Sequence, residues 1–149
     1  MVIKVKFTIN QISQGEDEVI LNYKEMNDEI SKIMAYFRNE GRKIIGCKDK
    51  TQVVIALDDI LYIESVDGRT FVYTEDEVYK VNYNLLQMEE HLRDISFFRC
   101  SKSMIMNIDK VLNLKSLSSN RIDATMQNGE HIMISRTYAS EFRRIIKGE

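Results

Sequence analysis

Ile3, Val5, Phe7 and Ile9 alternate with Lys4, Lys6 and Thr8 at the start of the chain. A period of two marks a strand with one face in a core. The polar stretch "QGEDE" reads as a turn, and "VILNY" reads as a second strand. The period then lengthens. Met26, Ile30, Ile33, Met34 and Phe37 fall on one face of a helix. Asn22 with Glu25 three positions on suits a capping box, and Gly41 suits the stop. Residues 1–44 are therefore predicted to form a small ββα unit.

From Lys43 the pattern is strand-rich. "KIIGCKDKTQVVIAL" predicts a hairpin turning at Lys48–Lys50. "DDILYIESVDGRTFVYTEDEVYKV" predicts strands broken at Asp67-Gly68 and at Glu75–Glu77. Leu85, Met88 and Leu92 share a face of a short helix that starts near Asn84 and Gln87. "FFRCSKSMIMN", "KVLNLKS", "RIDATMQ" and "HIMIS" follow as strands, with Asn128-Gly129 predicting a type I′ hairpin between the last two. A final helix opens near Arg136, places Tyr138, Phe142 and Ile145 on one face, and ends at Gly148. The fold class is mainly β, α+β overall.

Composition places this pattern in an ordinary folded domain. The chain has 149 residues, 44% hydrophobic and 30% charged, enough to bury a core. No apolar run approaches the roughly 20 residues of a membrane helix. The N-terminus lacks the continuous apolar stretch of a signal peptide, so a cytoplasmic location is expected. The net charge of −2 is unevenly spread. Residues 1–44 are neutral, residues 45–95 carry −6, and residues 96–149 carry +4. A basic face can attract phosphate within an acidic chain, because screening limits charge influence to about 10 Å.

Enzymatic chemistry finds little support. The acidic clusters Asp58-Asp59, Glu75-Asp76-Glu77 and Glu89-Glu90 fall at predicted turns or on a helix surface. Asp123, His131 and Ser135 could be drawn as a triad, but no strained nucleophile elbow surrounds the serine, which reads more simply as a helix cap. Cys47 and Cys100 stand apart from each other and from His91 and His131, which argues against a metal site. No glycine-rich phosphate loop occurs. No cofactor and no small-molecule substrate are expected.

What remains is a set of polar and basic residues at strand junctions: Asp67-Gly68-Arg69-Thr70, Ser101-Lys102-Ser103, Ser135-Arg136, and Arg121 at a further turn. Arg and Lys make charge-assisted bonds to phosphate, and Arg can grip guanine with two donors. Ser and Thr reach phosphates or base edges. Such loops along one side of a β scaffold would form a DNA-reading surface without a recognition helix. Solvation alone is the plainer explanation for any one of them.

The same residues carry a family likeness. "DDILYIESVDGRTFVYTEDEVYKV", "FFRCSKSMIMNIDKV" and "NGEHIMISRTYASEF" resemble, in order and spacing, the three signature blocks of the LytTR family of bacterial DNA-binding domains. The likeness runs from about Lys43 to Lys147. It implies about ten strands in small antiparallel sheets with flanking helices, and loops that enter successive major grooves of double-stranded DNA. It places the base contacts at Arg69 and Thr70, at Lys102 flanked by Ser101 and Ser103, and at Arg136. Many relatives carry His or Asn where this chain has Thr70 and Lys102, which leaves the operator sequence open. Arg121, Arg143 and Lys147 are candidates for phosphate contacts, the last two equally for pairing with a helix C-terminus.

The expected organisation is a ββα element over residues 1–44, for dimerisation or regulation, and a LytTR-type domain over residues 45–149. The 44 preceding residues are far too few for a receiver domain, so the arrangement resembles stand-alone LytTR regulators. The expected function is a sequence-specific, DNA-binding bacterial transcriptional regulator acting as a homodimer on repeated half-sites, with a small membrane protein as a further candidate partner. The alternative is a protein-interaction module, tied to a membrane protein, whose DNA binding is weak or lost.

Overall fold

A computed structural model describes residues 5–39, 42–93 and 96–148. The chain divides into two compact units, residues 1–38 and 39–149.

The first unit departs from the ββα expectation. No strand forms among the described residues 5–27. The alternating side chains stay in solvent, with Phe7 83% and Ile9 79% exposed. A lone strand leaves its backbone groups unpaired, so a period-two sequence needs a sheet edge to become a strand. Ile3 and Gly41 lie outside the described residues. The helix forms as α1, Asp28–Asn39, but it starts later than Asn22. Asn27 is the residue that caps it: its Oδ1 accepts from the Ile30 amide at 3.0 Å. Met26 therefore precedes the helix. Asp28 and Glu29 in the first turn suit the positive end of its dipole.

The second unit begins with β1 (Lys43–Lys48) and β2 (Thr51–Ala56), joined at Asp49 and Lys50, both at positive φ. The start of β1 places the unit's edge slightly ahead of residue 45. Then come β3 (Tyr62–Val66), β4 (Arg69–Tyr73), β5 (Val78–Val81), α2 (Leu85–His91), β6 (Phe97–Arg99) and β7 (Met104–Asn107). The last elements are β8 (Val111–Leu117), β9 (Arg121–Met126), β10 (His131–Ile134) and α3 (Arg136–Ile146). The strands make a seven-stranded antiparallel sheet ordered β2-β1-β5-β4-β3-β7-β6 and a three-stranded sheet ordered β10-β9-β8.

Both faces of the large sheet are covered at its centre. Ile60, Ile63, Val72, Val81 and Ile105 pack with Leu85, Met88 and Leu92 from the α2 region. On the other face, Tyr62, Phe98, Cys100 and Met106 pack with the small sheet and with Ala139 and Phe142 of α3. This explains why "ILYI" and "MIM" are continuous apolar runs: β3 and β7 bury successive residues on opposite faces. Burial of a side chain such as Phe142 contributes about 1.5–3 kcal/mol. Asn107, which breaks the second run, is itself buried. Its Nδ2 donates to the Ile60 carbonyl at 2.9 Å and its Oδ1 accepts from the Asp109 amide at 3.1 Å.

Two turns carry local signals. α2 opens with the full capping box between Asn84 and Gln87. The β9–β10 connection is not a two-residue type I′ turn. Only Gly129 has positive φ there, and the Met126 amide closes onto the Glu130 carbonyl at 2.9 Å. It is a three-residue loop with glycine in the left-handed position.

Candidate nucleic-acid interface

Three junctions meet at one edge of the second unit. β7 runs antiparallel to β3, with Met104 opposite Glu64. This sets the 100–103 loop beside the end of β3 and its Asp67-Gly68 turn. The Ser65 amide donates to the Ser103 carbonyl at 2.8 Å. On its other side, the Ser135 amide donates to the Cys100 carbonyl at 3.0 Å. The central loop is thereby bonded to the β3–β4 hairpin and to the start of α3. Arg69, Lys102 and Arg136 sit on these three pieces, all exposed.

None of these three cations has a side-chain hydrogen bond or ion pair among the described residues. Other cations are neutralised: Arg93 by Glu90, Arg99 by Glu89 and Arg144 by Glu141. Asp67 shares the β3–β4 turn with Arg69, and a larger acidic cluster lies farther off. Along β4, Arg69 stands at one end and the Glu75-Asp76-Glu77 turn lies beyond the other, about 20 Å away at a strand's rise. The acidic end includes Glu64, Glu75, Glu77 and Glu130 around a shallow cleft floored by the stacked rings of Tyr62 and Tyr73, 4.5 Å apart. Burial, together with a 2.9 Å bond to Glu64, pushes the Tyr73 hydroxyl up to about 12. The −6 charge of the middle segment thus coexists with three cations that have no ion pair among the described residues.

The remaining sequence-predicted residues divide. Ser103 is exposed and Ser101 half-buried; the Ser101 Oγ accepts from the Ser103 amide at 3.3 Å. Thr70 is only 4% exposed, placed by its pairing with Val81 in the sheet interior, so its side chain has almost no surface to offer a partner. The strand alternation that exposes Arg69 turns the next residue inward. Arg121 and Arg143 lie at the other end of α3. Arg121 Nε donates to the Ser118 carbonyl at 3.4 Å, and Arg143 donates to Asn120 Oδ1. Lys147 follows the helix, its amide bonded to the Arg143 carbonyl at 3.1 Å. Arg143 is seven residues past Arg136, about 10 Å along the axis.

Ser135 occupies the cap position of α3, but its hydroxyl makes no capping bond; its carbonyl accepts from Tyr138 and Ala139 instead, both at 3.0 Å. The triad geometry is not assembled around it. His131 Nδ1 meets Asp123 at 3.0 Å on the sheet surface, with Thr125 rather than Ser135 as the next neighbour. Cys100 is fully buried, and burial pushes its thiol up to about 12, which makes it a poor thiolate. No described group of three or more His, Cys, Asp or Glu could hold a metal ion. No described helix is long and apolar enough to cross a membrane.

Sequence reasoning missed Arg99, Glu89, Ser65 and the backbone of Ser135, which hold the loops in place. Backbone bonds leave no mark in residue type. Arg99 did leave one: a charged residue ending an apolar strand three residues before Lys102.

The chain is similar to known proteins over most of its second unit. A family model described as the LytTr DNA-binding domain matches residues 50–147. The sensory transduction protein LytT of Bacillus subtilis (strain 168) is 26% identical over 129 residues, covering 87% of this chain and 54% of that protein. LytT of Bacillus cereus is 29% identical over 99 residues, covering 66% of this chain and 40% of that protein. The transcriptional regulatory protein YpdB of Escherichia coli (strain K12) is 29% identical over 100 residues, covering 66% and 41%. The chain thus spans about half, or less, of the length of these curated relatives. A solved LytTr DNA-binding domain from Bacillus cereus superposes with a TM-score of 0.67 at 26% identity, over 70% of this chain and 96% of that one.

Proposed function

The chain belongs to the family of LytTr DNA-binding domains, and from that membership and the loop geometry we propose that it is a bacterial transcriptional regulator that reads double-stranded DNA. Binding, not covalent chemistry, is its activity. Lys102, Arg69 and Arg136 enter the major groove from three adjacent loops, and Ser101 and Ser103 hold or read beside Lys102. Thr70 has no place at this surface. Arg121, Arg143 and Lys147 contact phosphates outside the reading edge. The observation that carries the proposal is the coincidence of three cations, without an ion pair among the described residues, on loops tied together by the Ser65–Ser103 and Ser135–Cys100 bonds. Charges left without an ion pair among the described residues favour an anionic partner.

Residues 1–38 form the element for protein contacts in this reading. Phe7, Ile9, Val19 and Ile20 expose apolar surface that a second copy would cover. A homodimer then places two reading edges on repeated half-sites. A small membrane protein is a competing occupant of the same surface.

Binding of the purified protein to duplexes selected from a random pool tests the assignment. The proposal expects retention of a defined sequence, weakened by Lys102→Ala. Recovery of no sequence by the folded protein rejects it. Light scattering of the full chain and of a variant lacking residues 1–38 tests the dimer: loss of the dimer supports it, and an unchanged dimer removes the element's role.

A further inference from the structure

The loop between β6 and β7 uses every backbone carbonyl from residue 100 to residue 104 inside the domain. The Cys100 carbonyl accepts from the Ser135 amide at 3.0 Å, and the Ser103 carbonyl accepts from the Ser65 amide at 2.8 Å. The Met104 carbonyl accepts from the Cys100 amide at 3.1 Å and from the Ser101 amide at 3.4 Å. The two that remain belong to the tip, and one side chain takes both. Arg99 Nε donates to the Ser101 carbonyl at 2.7 Å, and a second Arg99 nitrogen donates to the Lys102 carbonyl. The third nitrogen is paired with Glu89 of α2.

We propose that Arg99 is a positioning residue for the reading loop: its guanidinium engages the Ser101 and Lys102 carbonyls, so that the backbone of the tip presents no free carbonyl to DNA, and Glu89 holds that guanidinium in place. The inference rests on the proposed DNA-reading role of this loop. The physical reason is polarity. A phosphate or the guanine acceptors repel an outward carbonyl oxygen and attract an N–H or ammonium. With the carbonyls engaged by Arg99, the Lys102 amide and ammonium have no acceptor among the described residues, and Lys102 is exposed. The planar fork matters, because a lysine at position 99 offers one point charge and no pair of parallel donors. Arg99 itself is only 25% exposed and has donors engaged on all three nitrogens, so it acts through the loop and not as a phosphate contact.

Three variants of the full chain separate positioning from contact: Arg99→Ala, Arg99→Lys and Glu89→Gln. Thermal unfolding first establishes that each is folded. Affinity is then measured across a salt series for the duplex that the unaltered protein selects from a random pool. Arg99→Ala is expected to lose tenfold or more in affinity. Its slope of log affinity against log salt should stay unchanged, because no phosphate contact is removed. Arg99→Lys should fail to rescue, and Glu89→Gln should lose several-fold. Wild-type affinity in Arg99→Ala, full rescue by Arg99→Lys, or a slope reduced by about one contact overturns the proposal. Hydrogen exchange of the free proteins gives a reading independent of DNA. The hydrogen-bonded loop amides of Ser101 and Ser103 should exchange faster in Arg99→Lys and Glu89→Gln, with the sheet unchanged; equal loop protection in both overturns the inference. If the unaltered protein selects no duplex, the DNA-reading assignment fails by itself.

Discussion

The Ser135 amide donates to the Cys100 carbonyl across 3.0 Å, joining the first turn of α3 to the loop that carries Lys102. Cys100 is buried with Phe98, Ala139 and Phe142, so this bond is anchored in the core beneath the loop. The ring of Phe98 lies 5.5 Å from that of Phe142 and meets Tyr138 edge-on at 6.4 Å. The packing that holds α3 on the sheet also fixes Arg136 relative to Lys102.

Coupled loops should give coupled substitutions. Lys102→Ala and Arg136→Ala are each expected to weaken binding to the selected duplex by about 1–3 kcal/mol. Together they should depart from additivity by at least about 0.5 kcal/mol, since both residues hang on one bonded unit. Gel-shift titration of the singles and the double measures this. Thr70→Val should change affinity less than twofold, because that side chain is 4% exposed; a large loss there would restore Thr70 to the interface.

Alkaline pH should destabilise the fold. The Cys100 thiol is raised from 9.0 to about 12 by burial, and the Tyr73 hydroxyl from 10.0 to about 12. Both groups keep their protons in the folded state at a pH where the unfolded chain has lost them. Stability is therefore full below about pH 9 and falls as pH rises toward 12, each group adding a slope of at most about 1.4 kcal/mol per pH unit, less for the partly exposed tyrosine. Denaturant unfolding from pH 7 to 11 checks the trend, and Cys100→Ala should flatten it. At neutral pH a thiol reagent should label exposed Cys47 rapidly and Cys100 only after unfolding.

Gly46 is fixed by space and not by a special backbone angle. A Cβ there would lie 2.6 Å from Ile55 Cδ1 and 2.9 Å from Tyr79 Cβ. Gly46→Ala is expected to cost about 1–3 kcal/mol as overpacking, with a lowered melting temperature and unchanged affinity per folded molecule. Calorimetry with the gel shift separates the two effects.

The second unit was largely legible from its pattern. Asp67-Gly68 and a helix start near Asn84 and Gln87 are local signals, and the structure places a turn and a capped helix there. The first unit was not, because alternation of the Val5–Phe7–Ile9 kind states a preference that only a pairing partner fulfils. The Asn22–Glu25 motif was likewise overridden, with the cap at Asn27. At the candidate site, Arg69, Lys102 and Arg136 stood out as basic residues at junctions. Thr70 shared a junction with Arg69 but not its face of the strand. Arg99 stayed hidden because its role depends on the Ser101 and Lys102 carbonyls, which every sequence has.

The most direct test of a DNA-reading edge is the salt dependence of binding to the selected duplex, measured for the full chain and for the triple variant Arg69→Ala, Lys102→Ala, Arg136→Ala. The account predicts a linear fall of log affinity with log salt for the unaltered chain, and loss of preference for the selected sequence over a scrambled one in the triple variant. A folded triple variant that still prefers the selected sequence as strongly as the unaltered chain would contradict it.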